Sequence, residues 1–184
     1  MKSTGNPYQA QGTTLIEQIM VLTIMAVLTS IAVPPLHRLL SRDRLQVAQT
    51  DFMAALQNAR ATAATTGMRT MLCPSRDGAT CSDEGRWDGG WLMGHDNDHD
   101  DQPDHGPLHV GAGYHHQVII RSSVGRHIVR FRPDGSARGS NLTVLFCAPD
   151  ATGRTLAVVV SNSGRIRGAP GTGAQAASCT GPDG

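Results

Sequence analysis

The sequence predicts an α+β protein: a long N-terminal α-helix, apolar in its first half and amphipathic in its second, packed on a small antiparallel β-sandwich. Three observations carry that expectation. Residues 18–36 form an uncharged, mostly apolar run between Glu17 and His37. Leu45, Ala48, Phe52, Ala55, Leu56, Ala59 and Ala63 then recur at three- and four-residue steps, which puts one apolar stripe on a helix. Beyond residue 67 the apolar period shortens to two and turn residues multiply, as in half-buried strands.

The apolar run belongs to the stretch from Gly12 to Val33. At about 1.5 Å per helical residue it spans close to a bilayer's hydrocarbon core. It is apolar on every face, which a helix of a globular core rarely is. Glu17 near its start suits the positive end of a helix. A carboxylate at the edge of a membrane span is costly to desolvate, however, so Glu17 asks for a partner. Pro34-Pro35 should kink the helix or free its carbonyls, and Gly67 is a sensible stop. The expected strands are 68–73, 117–122, 127–132, 141–147, 154–161 and 165–167. Pro133-Asp134-Gly135 and Asn162-Ser163-Gly164 read as turns, so the last strand pairs are expected to be antiparallel hairpins.

Residues 1–12 are polar, with Lys2 as their one cation. A secretory signal would be cut after the apolar run, not before it. Gly12 followed by Thr13-Thr14-Leu15-Ile16-Glu17 resembles the class III leader of type IV pilins and type II secretion pseudopilins. Glu17 is the fifth residue after that glycine and Pro34 the twenty-second, both in the family's register; Thr13 stands where phenylalanine is usual. The resemblance implies that prepilin peptidase cuts after Gly12 and methylates the new terminus on Thr13, and that Glu17 pairs with a neighbouring subunit's amine in a filament. An ion pair inside an apolar bundle serves register above all. The implied organisation is a leader over 1–12, a membrane and filament-core helix over 13–36, an amphipathic half over 37–67 and a globular domain over 68–184. The implied location is the inner membrane with a periplasmic domain, then the pilus at the cell surface, among other pilins.

Four cysteines, Cys73, Cys81, Cys147 and Cys179, in an exported chain point to two disulfides out of three possible pairings. The nearest-neighbour pairs, Cys73–Cys81 and Cys147–Cys179, are the expected ones. No Cys-x2-Cys spacing favours zinc. Formal charge is +1 but unevenly spread. From Asp77 to Asp104 there are nine acids (Asp77, Asp83, Glu84, Asp88, Asp96, Asp98, Asp100, Asp101, Asp104) against Arg86, and from Arg121 onward eight arginines against three acids, Asp134, Asp150 and Asp183. His95, His99, His105, His109, His115 and His116 share the acidic stretch 94–116, where Gly, Pro and Asp predict a solvated loop. Asp96-Asn97-Asp98 begins like a calcium loop, but Asp101 and Pro107 stand where that loop wants Gly and Glu. No metal or other cofactor is expected. No nucleophile elbow, Walker loop or HExxH motif occurs, so no enzyme is expected either.

Trp87-Asp88-Gly89-Gly90-Trp91, the aspartates after it, Phe131-x-Pro133-x-Gly135 and Gly164-Arg165-Ile166-Arg167 resemble the GspH/FimT branch of minor pilins. In its FimT-type members a Gly-Arg-x-Arg motif near the C-terminus binds DNA during natural transformation. On an extended strand Arg165 and Arg167 share a face about 6.6 Å apart, each able to fork onto a phosphate, with Ile166 turned inward and Gly164 permitting close backbone approach. Arg154 could join them from the preceding strand; Arg130 and Arg132, opposite Val129 and Phe131, are second-rank candidates. Such binding is expected to be non-specific, to duplex DNA, and salt-dependent. The competing expectation is a structural or priming minor pilin, or a type II secretion pseudopilin, with no DNA role.

Overall fold

The structure, a computed structural model, describes residues 14–114, 117–123, 125–149 and 154–179, without the side chains of residues 33–39 and 41. Gly12, Thr13, His115, His116, Asp150 and Asp183 therefore lie outside the described residues. The chain divides into two compact units, Met1–Leu40 and Ser41–Gly184.

The first unit holds the start of helix α1 (Leu15–Thr66). Over Leu15–Ala32 its mean hydropathy is 2.0, long and apolar enough to cross a membrane. Thr14 opens the helix as its cap: its Oγ1 accepts from the backbone N–H of Glu17 at 3.4 Å, the Thr-x-x-Glu spacing of a capping box. The hydroxyls of this segment close on their own backbone. Thr23 donates to the Ile19 carbonyl, Thr29 to that of Met25 at 2.9 Å and Ser30 to that of Val27 at 2.7 Å, so these hydroxyl donors are not stranded in an apolar medium. Helix α1 runs through Pro34-Pro35, where the sequence predicts a kink or freed carbonyls.

In the second unit all seven residues of the helical stripe, from Leu45 to Ala63, are buried. Gly67 ends the helix with a positive φ of 68° and donates to the Ala63 carbonyl at 3.1 Å, a left-handed cap that glycine takes without strain. Among the described residues eight strands follow: β1 (Thr70–Pro74), β2 (Gly90–His95), β3 (His109–Ala112), β4 (Ile119–Ser122), β5 (Val129–Phe131), β6 (Leu142–Cys147), β7 (Thr155–Val160) and β8 (Ile166–Pro170). They form two antiparallel four-stranded sheets, ordered β3-β2-β1-β5 and β4-β6-β7-β8. A short helix, α2 (Gly173–Ser178), closes the described chain.

One core joins α1 to both sheets. Phe52 sits edge-on to Trp87 at 5.1 Å and to Phe146 at 5.6 Å, and Leu72, Val129, Phe131, Val144, Val158 and Val160 surround them. A smaller cluster of Met71, Cys73, Leu92 and Ile128, with Cys81 against it, covers the other face of the first sheet. Both expected disulfides are present, Cys73–Cys81 and Cys147–Cys179.

Three expectations change. The Asn162-Ser163-Gly164 turn does join an antiparallel hairpin, β7–β8, but Pro133-Asp134-Gly135 does not. β5 pairs with β1 in the first sheet, and the chain beyond that turn crosses to the second. The stretch 94–116 is not all loop, because β2 ends in it and β3 lies in it. β2 is hidden from the period-two test because sheet and loop bury five of its six residues in a row. α2 was not expected either, although Thr172 and Gln175 make a full capping box around its start.

Candidate nucleic-acid interface

The β7–β8 hairpin turns tightly: the Gly164 N–H donates to the Ser161 carbonyl at 2.8 Å, and the Ser161 N–H to that of Arg165 at 3.0 Å. Arg165 enters β8, and Arg167 lies opposite Val159. Both are exposed while Ile166 between them packs against the core, the alternation that a pleated strand imposes. Neither guanidinium has a hydrogen-bond or ion-pair partner among the described residues. The pair is thus presented on one side of β8.

The other candidates separate from it. Gly164 is buried with φ +77°, and a Cβ on it would meet the Gly135 carbonyl oxygen at 2.0 Å. Its close approach serves a contact between two turns of the chain, not an opening for a phosphate. Arg154 precedes Thr155 and so shares the pleat side of Leu156, the opposite side from Arg165 and Arg167. There it lines a groove of about 540 Å³ with Arg42, Gln46 and Gln49 of α1. Arg130 is spent inside the chain, its Nε donating to Asp101 Oδ1 at 2.8 Å and its Nη2 to the other carboxylate oxygen. Arg132 is exposed at the Pro133 turn. Glu17 is exposed in the first turn of α1.

Around that turn lies a basic group that the sequence does not announce. Arg60 of α1 donates from Nε to the Gly135 carbonyl at 3.0 Å. The Ala137 N–H donates to the Asn162 carbonyl at 3.0 Å, and the Gly139 N–H to Asn162 Oδ1 at 3.3 Å. The 132–139 turn is thereby docked on the 161–165 turn. Asp134 is the acid here. Ser136, whose N–H donates to Asp134 Oδ1 at 2.9 Å, holds its carboxyl below the usual carboxylate range, with the charges of Arg138 and Arg132 adding to that. No local motif marks Arg60 or Arg138; only the docking brings Arg60 against Gly164 and the Arg138 segment onto Asn162.

The acidic stretch has its own internal partners. Asp96 is fully buried, 3.1 Å from Arg69, and accepts from the Asp101 N–H. Burial pushes its carboxyl up, and Arg69 opposes the shift. Carboxylates of Asp96, Asp98 and Asp100 come within 4.8 Å of one another, but Arg69 already balances the buried one. The His95 ring meets the Thr70 hydroxyl at 3.2 Å, and His109 lies against Trp91 with centroids 5.9 Å apart. Among the described residues the histidines form no metal-ligating group.

A helix feeding a two-sheet antiparallel domain is the type IV pilin-like fold, and solved structures share it. Minor pilin FimU of Pseudomonas aeruginosa matches with a TM-score of 0.58 at 19% identity, over 72% of this chain and 92% of that one. The minor pseudopilin EpsH of the Vibrio cholerae type 2 secretion system matches at 0.50 and 11% identity, over 69% and 97%. Residues 48–164 match the family described as GspH, type II transport protein. The chain belongs to the GspH family: it is a minor pilin or pseudopilin of a type IV pilus or a type II secretion system. Comparison with curated proteins gives no match. Pilins are structural proteins that assemble with other pilins, and the apolar helix fits a membrane anchor for a periplasmic domain.

Proposed function

We propose that this chain is a type IV minor pilin that holds duplex DNA, without sequence preference, for uptake in natural transformation. The observation that carries the reading is the exposure of Arg165 and Arg167 on one side of β8 with no partner among the described residues. An arginine without an internal ion pair has its fork free for a backbone phosphate. No tyrosine or tryptophan shares the hairpin, and Phe131 is fully buried, so base stacking on single strands has no platform. In the same reading prepilin peptidase cuts after Gly12, and Glu17 pairs with the Thr13 amine of a neighbouring subunit. The globular domain then stands in the periplasm before it reaches the pilus surface.

The test is a gel shift with the full chain in detergent and a short mixed-sequence duplex, at two salt concentrations. Wild type should bind at low salt and weaken at high salt, since each phosphate contact releases counterions. Arg165→Gln/Arg167→Gln should lose most of the salt-sensitive shift with both disulfides and the tryptophan fluorescence unchanged. The rival reading is a priming minor pilin or type II secretion pseudopilin with no DNA role. The family's description as a type II transport protein and the likeness to EpsH favour it. It prevails if wild type shows no shift at low salt.

A further inference from the structure

We infer that the polyanion surface extends beyond the Arg165/Arg167 pair onto the docked turns, with Arg138 and Arg60 as further phosphate contacts. The inference rests on the DNA reading above and enlarges its site. Three observations bring these side chains together. A Cβ at Gly164 would lie 3.3 Å from Arg60 Nε, so the Arg60 guanidinium lies against the residue just before Arg165. Arg138 is carried by the segment whose Ala137 and Gly139 N–H groups bond to Asn162, three residues from Arg165. The charges of Arg138 and Arg132 both lower the pKa of Asp134, which lies between them in the chain.

The arrangement leaves charge for a ligand. Arg60 commits its Nε to the Gly135 carbonyl, and its terminal nitrogens have no partner among the described residues. Asp134 is one negative charge against Arg60, Arg132, Arg138 and Arg165, and its oxygen Oδ1 is taken by the Ser136 N–H. Arg60 on α1 and Arg132, Arg138 and Arg165 on the two docked turns are all exposed, and like charges gathered there repel one another in the free protein. A phosphate backbone crossing the contact relieves that repulsion, and DNA offers a negative charge about every 1.7 Å of axis. The β7–β8 hairpin supplies one end of the track through Arg167, and the Arg138 turn supplies the other.

The experiment is the dependence of duplex affinity on salt, measured with the full chain in detergent for wild type, Arg138→Gln, Arg60→Gln, Arg60→Lys and Arg76→Gln. Arg138→Gln and Arg60→Gln should each flatten the log–log slope by about one phosphate contact. Arg60→Lys should keep the slope, since it keeps the charge and loses only the anchoring fork. Arg76 is paired with Glu84 at 2.6 Å beside the acidic stretch, so Arg76→Gln changes net charge equally and should leave the slope alone. Arg138 has no side-chain hydrogen bond to lose among the described residues, which keeps the test sound should Arg60→Gln loosen the turns. A wild-type slope in Arg138→Gln, with binding still abolished by Arg165→Gln/Arg167→Gln, overturns the extended surface and leaves the smaller one standing. An equal flattening by Arg76→Gln overturns it too, by showing net charge alone at work. Absence of any wild-type binding at low salt removes the DNA reading itself, and this inference with it.

Discussion

Gly164 shows how much one missing side chain can organise. The residue sits in the left-handed region, where a Cβ costs about 1 kcal/mol or more. The same Cβ would overlap the Gly135 carbonyl oxygen that Arg60 holds. Gly164→Ala is therefore expected to lose at least about 2 kcal/mol of stability by strain and clash together. Thermal unfolding followed by tryptophan fluorescence measures this directly, because Trp87 and Trp91 are both in the core. A change below a few tenths of a kcal/mol would show the two turns to be undocked. The variant also bears on binding: if the turns separate, the salt slope should flatten while Arg165 and Arg167 remain in place.

At the scale of elements, helix α1 and strand β8 were legible and β2, β3 and α2 were not. The stripe from Leu45 to Ala63 stands out because a helix with one buried face writes a three-and-four period into its sequence. Trp91 and Leu92 of β2 face opposite sides of a sheet covered on both, so no alternation survives to be read. β3 has a largely exposed pattern and is held by its ladder to β2, a bond pattern made by backbone that side-chain periodicity does not report. The helix's weight in the fold is set by Phe52, which touches Trp87 and Phe146 from different parts of the chain. Phe52→Ala should cost about 3–5 kcal/mol through lost burial and a cavity. Denaturant unfolding of the full chain in detergent would show it as a lower midpoint.

For the whole molecule the arginine count misleads and the contacts correct it. The sequence places eight arginines after residue 120 against three acids, as though one basic half faced one acidic half. Arg130 instead binds Asp101 of the acidic stretch, Arg121 donates to the Ser178 carbonyl at 3.1 Å, and Arg126 bonds to Asn141. The charge free to meet a polyanion is therefore smaller and more localised than composition implies. The Cys147–Cys179 bridge ties α2 to β6, beside the Thr155 hydroxyl. With a sequence separation of 32, its loss should cost about 3–4 kcal/mol in the chain-entropy model. Cys147→Ser/Cys179→Ser should lower the unfolding midpoint accordingly; Arg165 and Arg167 lie inside the closed loop but are positioned by the β7–β8 hairpin itself, so duplex binding at low temperature should persist.

The sequence alone determined the apolar N-terminal segment, the buried stripe of α1, the β7–β8 turn and the alternation that exposes Arg165 and Arg167. Each is written within a few residues by hydrophobic period or turn chemistry, which local sequence carries in full. Tertiary structure decided which arginines stay free, which face Arg154 joins, why residue 164 must be glycine, and that Arg60 and the Arg138 turn meet the turn that carries Arg165. Those outcomes depend on which distant segments meet, and burial and ion pairing between segments far apart in the chain leave no periodic trace along it.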